Sequence, residues 1–428
     1  MILIKNITIV TQNKEREIVK KGSLVIEKEY IKVIGKSKSI EKEYSRKAKK
    51  VIDGKNKVIM PGLINSHGHL AMTLLRGYAD DMDLEKWWLE YVYPVESKFT
   101  RKKVYQGSLL AMIEMIKSGT TCFIDFYYYE DEVAWAAKKL NMRGFLGCAI
   151  LDFPTFLYKN ADEALEITKK VIKKFSNNSL LKVILAPHMF QTTSLETYVK
   201  VWELAKQYGL LLTTHMSETK AEVNFSIKKY KKRPVEVLSQ ASILDENVIL
   251  AHCCWVNKKE INLLKKSNVS IVHCPVSNMK LASGIMPLPE LLRSKINVSL
   301  GTDGACSNNN LDMFEEMKTT ALIHKVNKLN PTIIDAQTVL DMATINGAKT
   351  LKIEDQIGSI EIGKRADLII INFEKPHLIP CHNIISHLVY SVSGSDVETT
   401  IINGKIVMEN RKIKNIDEDK FLQEMMLI

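Results

Sequence analysis

Two histidines separated by one glycine, His67-Gly68-His69, are the first residues of this 428-residue chain that suggest chemistry. Side chains two apart on an extended strand point to the same side, so both imidazoles can address one cation, and the glycine lets the backbone come close to it. A third imidazole and a carboxylate from other strands would complete a nitrogen-and-oxygen site, and His215 and Asp303 are the natural candidates. Such donors suit Zn2+, with Fe2+ or Mn2+ as alternatives, and a position left for water makes the site catalytic rather than structural.

Those residues need a scaffold that brings distant segments to one rim. From about residue 59 to 357 short apolar runs alternate with helix-length amphipathic stretches, the pattern of repeated βα units around a parallel sheet. Eight strands are expected, over 58–66, 121–126, 143–150, 182–187, 210–214, 248–251, 269–272 and 298–302. Eight units over about 300 residues are what a TIM-like (β/α)8 barrel needs, with its active site at the C-terminal strand ends. Residues His67, His69, His188, His215, His252 and His273 all fall at or just after such ends, and Asp303 closes the eighth. Six histidines on one rim are hard to attribute to packing. The two chain ends, 1–58 and 358–428, carry β-type runs instead and are expected to form one small β-sandwich domain, with a hairpin turn at Asn403-Gly404.

Composition narrows the class. Apolar residues make up 46% and charged residues 25% of the chain, which is ordinary globular usage and excludes a disordered, collagenous or coiled-coil protein. The formal charge of +11 raises the question of a phosphate-rich partner, but the lysine runs at 41–50, 169–174 and 228–233 are scattered and interrupted, as on solvated faces, so no nucleic-acid partner is expected. Seven cysteines without a C-x-x-C pair, an opening without a signal-type apolar stretch, and no apolar run of membrane-spanning length point to a reduced, cytoplasmic protein with buried free thiols and no membrane partner. The stretch 358–365 mimics a phosphate loop, but Arg365 stands where a hydroxyl must bind Mg2+, and a turn is expected. The cytidine-deaminase signature is absent as well.

Several blocks in order resemble the amidohydrolase superfamily, and within it the 5′-methylthioadenosine/S-adenosylhomocysteine deaminases, with triazine hydrolases as relatives. They are Pro61-Gly62-Leu63-Ile64-Asn65-Ser66-His67-Gly68-His69, Leu74-Leu75-Arg76-Gly77, Pro94-Val95-Glu96, Ala186-Pro187-His188, His215-Met216-Ser217-Glu218-Thr219, Ala251-His252-Cys253, the block from Pro275 to Gly284, and Leu300-Gly301-Thr302-Asp303-Gly304. The resemblance implies one metal per subunit held by His67, His69, His215 and Asp303, with Glu218 and His252 as the catalytic pair. The chemistry agrees: a metal pulls the pKa of its water toward ~7, Asp303 and His252 can take and steer the proton, and Glu218 can protonate a ring nitrogen and then the departing amine. Two-metal members resemble one another in a lysine at the end of strand four, where this chain has His188 and only Lys182 at the strand's start. The resemblance also gives Glu96 to the two ribose hydroxyls and His188 to substrate binding. Trp87, Trp88 and Tyr93 could line the pocket.

The expected activity is hydrolytic deamination of a 5′-modified adenosine (5′-methylthioadenosine, S-adenosylhomocysteine, 5′-deoxyadenosine or adenosine) to the inosine analogue and ammonia. The alternative is hydrolysis of another heterocycle, such as a guanine-type base, a pterin or a triazine. Glu96 favours the ribosyl substrates. Three departures from the family pattern stand out. The stretch after strand four reads His188-Met189-Phe190-Gln191, His273-Cys274 precedes the Pro275 block, and no arginine lies between Arg143 and Arg233 to hold a homocysteine carboxylate, for which Lys159 is the only substitute in view. A small-molecule nucleoside is the expected partner, within a homo-oligomer.

Overall fold

A computed structural model of the chain describes residues 1–36 and 38–427. Eight parallel strands form the central sheet: Leu63–Asn65, Thr120–Tyr127, Arg143–Ile150, Leu181–Pro187, Leu212–Met216, Val248–His252, Ser270–His273 and Asn297–Leu300. The hydrogen bond from Ser66 N to Leu300 O (2.9 Å) links the last strand back to the first, so the sheet curls into the expected barrel. Six of these strands, all but Leu181–Pro187 and Asn297–Leu300, are buried at every residue, as parallel strands covered on both faces must be. Alternation then sorts their side chains. Ile64, Ile124, Phe145, Ile184, Ile249 and Val272 fill the barrel interior, while their neighbours pack against the helical layer.

The helices follow from local chemistry. Ala161–Phe175 starts at Asn160, whose side chain accepts from Glu163 N (3.0 Å), carries Asp162 and Glu163 in its first turn and Lys173 and Lys174 in its last, and turns Leu165, Val171, Ile172 and Phe175 inward. Cap, macrodipole and apolar stripe all agree.

The strand expected over 58–66 is two strands. Lys57–Pro61 pairs with Ile2–Val10 and Leu368–Asn372 in a nine-stranded mixed sheet built from both chain ends, and only Leu63–Asn65 enters the barrel. The break falls at Gly62, where an added Cβ would lie 2.1 Å from Thr121 Oγ1. The hairpin between Val397–Ile402 and Lys405–Glu409 turns on Asn403 (φ 52°) and Gly404 (φ 74°), the left-handed pair that such two-residue turns require. Helix Ile384–Tyr390, between two C-terminal strands, and helix Glu418–Met425, after the last strand, were not expected. Residues 358–367 hold turns and bends and no helix, so the phosphate-loop look-alike is a turn region. Six cysteines are buried and Cys381 is exposed, all of them free thiols. Among the described residues no helix is long and apolar enough to cross a membrane.

Candidate active site

The barrel's C-terminal mouth gathers the side chains that the strand ends carry. Two overlapping groups, His67 with His69 and Asp303, and His67 with His215 and His252, each have ligand atoms within 4.8 Å of one another. His67 and His69 lie just past the first strand, with ring centroids 5.0 Å apart and nearly perpendicular. A Cβ at Gly68 would meet its neighbours only at an ordinary 3.6 Å. The glycine this corner needs is Gly301, where a Cβ would lie 2.8 Å from both His67 N and O.

Distance alone does not separate ligand from neighbour here, but hydrogen bonds do. His69 Nδ1–H donates to Phe126 O (2.6 Å) and His215 Nδ1–H to His188 O (3.0 Å), so each ring turns its Nε2 toward the centre. These two Nε2 atoms stand 3.3 Å apart. Burial lowers the His69 pKa, but Asp303 outweighs it and raises it to about 9, so a cation bound here would displace the proton on the His69 Nε2. Neither nitrogen of the fully buried His67 makes a hydrogen bond, and burial lowers its pKa to about 4, so it is a neutral donor at neutral pH. His252 differs. Asn278 Nδ2 donates to its Nδ1 (2.9 Å), which leaves the proton on Nε2, the atom that faces Glu218 Oε2 at 3.6 Å.

Asp303 is divided in the same way. Oδ2 accepts from Ser277 Oγ (2.6 Å) and Ser307 Oγ (2.8 Å), while Oδ1 faces His69 Nε2 (3.1 Å) and His67 Nε2 (3.5 Å). Burial would raise its pKa, but the imidazoles of His67 and His69 beside Oδ1 outweigh it and hold the carboxyl well below the usual carboxylate range. Three imidazoles that turn Nε2 to one centre and one ionised carboxylate thus fit a Zn2+-type cation, which would take the place of the His69 proton. An orphaned buried imidazole is otherwise costly, which is a further reason to read the cluster as a metal site.

Glu218 is buried at the same mouth. Burial first, and then the Asp303 charge, push its pKa up to about 8, and Ser283 Oγ donates to Oε1 (2.8 Å). Its backbone is fixed by Glu222, which accepts from Ser217 N (2.9 Å) and Glu218 N (2.8 Å). Ser217 (φ 49°), His252 (φ 71°), Cys253 (φ 49°) and Asp303 (φ 62°) all take left-handed backbone without being glycine. Strain of this kind persists where the surroundings over-determine it, typically at functional sites.

One cavity joins these residues to the rest. Glu96, His188, Trp87 and Trp88 line it together with Glu218 and Asp303, under a cover formed by Leu84–Lys86, Trp87–Val92 and Tyr93–Glu96. The His188 ring packs on Trp88 (5.3 Å) and bonds Thr192 Oγ1 through Nδ1 (2.8 Å). Tyr93 instead packs behind Trp88 and donates to Pro154 O (3.3 Å), outside the lining. His273, the sixth rim histidine, turns away and pairs with His324 (3.1 Å between Nε2 atoms). Sequence reasoning gave no role to Ser277, Asn278 and Ser283, although all three stand in the quoted block after strand seven. Ser307 and Glu222 carried no signal beyond lying four residues after Asp303 and Glu218.

The amidohydrolase family model matches residues 58–407. The chain belongs to the amidohydrolase family. A Methanosarcina acetivorans protein named 5′-deoxyadenosine deaminase is 43% identical over 99% of this amidohydrolase and 96% of its own length. A Thermococcus sibiricus protein named 5-methylthioadenosine/S-adenosylhomocysteine deaminase is 47% identical over 95% and 94%. Among solved structures, an adenosine deaminase from Xanthomonas campestris with bound zinc covers all of this amidohydrolase and 97% of its own chain, with a TM-score of 0.95 and 32% identity.

Proposed function

We propose that this amidohydrolase removes the amino group of a 5′-modified adenosine by hydrolysis, releasing ammonia and the inosine analogue, with one Zn2+ per subunit held by His67, His69, His215 and Asp303. The observation that carries the reading is one cavity with a carboxyl of each kind. Glu218, at the metal-type cluster, is pushed up to about 8 and so holds its proton at neutral pH. Glu96 is buried in the lining with one oxygen left for a ligand.

When bound, the cation would supply an acidified water at neutral pH. The chain's residues do the rest. Asp303, held ionised, accepts the proton released as oxygen attacks the amino-bearing carbon. His252 steers the nucleophile with its Nε2–H. Glu218 gives its proton to the adjacent ring nitrogen, which receives the charge displaced by the attack, and a proton then passes to the leaving amine, so that water and substrate balance product and ammonia. Glu96 accepts from the ribose 2′- and 3′-hydroxyls, and His188 with Trp88 packs the substrate. A free guanine-type base, pterin or triazine has no ribose diol for Glu96, which disfavours that alternative.

No lysine or arginine lines the cavity among the described residues, and Lys159 is exposed outside it. A homocysteine carboxylate therefore lacks a charge partner, and 5′-methylthioadenosine, 5′-deoxyadenosine and adenosine should be turned over ahead of S-adenosylhomocysteine. A cytoplasmic homo-oligomer belongs to the same proposal, and its state is read by light scattering.

The test is ammonia release by Zn-loaded protein with these four nucleosides, guanine and a triazine, using Glu218→Gln as the blank. Turnover of the nucleosides alone is expected. Turnover of only the free heterocycles would overturn the reading.

A further inference from the structure

Glu96 is 3% exposed, and among the described residues its side chain receives one hydrogen bond, from Tyr127 Oη–H to Oε1 at 2.5 Å. No lysine or arginine among the described residues pairs with it. Tyr127 is itself 2% exposed and ends the second barrel strand, where Glu130 Oε1 accepts from its backbone N–H (3.0 Å). The contact thus joins the cover helix Tyr93–Glu96 to the C-terminal end of a barrel strand.

Resting on the reading of Glu96 as the ribose acceptor, we propose that Tyr127 is a positioning residue that sets how strictly this enzyme demands the ribose diol. A carboxylate offers about four lone-pair directions, and a free one rotates among them. Tyr127 occupies one direction on Oε1 and so fixes the carboxylate plane, leaving Oε2 and the remaining lone pair of Oε1 aimed into the cavity. Two hydroxyls at the fixed spacing of a ribose 2′,3′-diol match that pair of acceptors; one hydroxyl leaves a buried acceptor empty. Burial and the neighbouring Glu96 charge keep the phenol protonated, so it is always a donor and never competes with the diol for acceptor sites. Loss of its proton donor leaves a buried carboxylate without a protein partner, which favours the neutral acid. That acid turns one acceptor into a donor.

The experiment compares adenosine with 2′-deoxyadenosine and 3′-deoxyadenosine in wild type, Tyr127→Phe and Glu96→Gln, each Zn-loaded and checked for equal metal content. Tyr127→Phe is expected to raise KM for adenosine roughly tenfold or more with kcat within about threefold, and to shrink the preference for adenosine over either deoxy analogue by a similar factor. A parallel loss of kcat for all three nucleosides, with the preference intact, would mean a merely structural role and would overturn the proposal. If Glu96→Gln abolishes the preference and Tyr127→Phe does not, the ribose reading stands and the role of Tyr127 falls. If Glu96→Gln keeps the wild-type preference, the ribose reading falls and takes the proposal with it.

Discussion

The two ends of the barrel treat buried charge in opposite ways. At the N-terminal end Arg143 and Asp367, 4% and 1% exposed, form a bidentate pair (2.7 and 3.1 Å), and Asn403 N adds a further bond to Asp367 (2.7 Å). Both charges of the pair are satisfied within the chain, and the pair ties the barrel to the terminal sheet. At the C-terminal end several buried polar groups are tethered to their surroundings by one atom and turn the other toward one another and the cavity. His69 and His215 are tethered through Nδ1, Asp303 through Oδ2, and Glu218 and Glu96 through Oε1. A closed network contributes to the fold; a half-open one is complete only with a ligand. The two ends should therefore fail differently when cut.

The largest effect belongs to the open end. Asp303→Ala removes the only carboxylate of the proposed ligand set and its proton acceptor, so deamination should drop to background and the metal content of the purified protein should fall well below one per subunit. Retained zinc with retained turnover would refute the ligand assignment. Next comes Glu218→Gln, which keeps shape and the Ser283 bond but cannot deliver a proton. Its kcat should fall by about 10²–10⁴ while metal content stays at the wild-type level. A loss of metal in that variant would move Glu218 into the ligand set.

The closed end should cost stability instead of chemistry. Arg143→Met leaves Asp367 as an uncompensated buried charge, and the expected loss is about 3–5 kcal/mol, read as a lower denaturation midpoint. The protein that remains folded should keep its kcat and KM. A kcat loss comparable to that of Glu218→Gln would show that the two ends are coupled.

Much of this contrast was legible in the sequence, and the illegible part has a geometrical reason. A strand-end histidine can be located from apolar runs, but the face it points to depends on alternation. His215 follows the rule: Leu212, Thr214 and Met216 share one face, Leu212 and Met216 packing in the helical layer, and His215 takes the other, toward the mouth. His273 follows it too, and so is lost to the site, because Val272 already faces the interior and the next ring must face the helices, where it meets His324. His252 breaks the rule. It should share the face of Leu250, yet its left-handed backbone (φ 71°) ends the alternation and turns the ring beside His67. A resemblance in the flanking motif found that residue where periodicity would have misplaced it. The hydroxyls that orient the carboxylates come from two helices of six and four residues, Pro275–Lys280 (Ser277) and Ala305–Asn308 (Ser307), and from the loop after the first (Ser283), all too short to show a period, so their role appears only when these segments are seen to converge. The amphipathic pattern placed the barrel and the two-ended β-domain, but not the short strand Lys57–Pro61, whose apolar run continues into the barrel across Gly62.

The smallest effect tests the open end from the side away from the proposed metal ligands. Burial pushes the Glu96 carboxyl up to about 7, against the Tyr127 bond that lowers it. In the proposed ribose role only the ionised form would accept from both hydroxyls, so the competent fraction rises as pH increases through about 7, and KM for adenosine should improve by about tenfold between one unit below and well above that point. The stability sign runs the other way. A carboxyl whose pKa is higher in the folded state than in the unfolded chain makes folding less favourable as pH climbs from about 4.5 to about 7. Glu96→Gln should remove the inflection from the KM profile, and Tyr127→Phe, which deletes the group that favours the charged form, should move it to higher pH. An inflection unchanged in both variants would assign it to another group and leave Glu96 as a buried carboxyl with no part in binding.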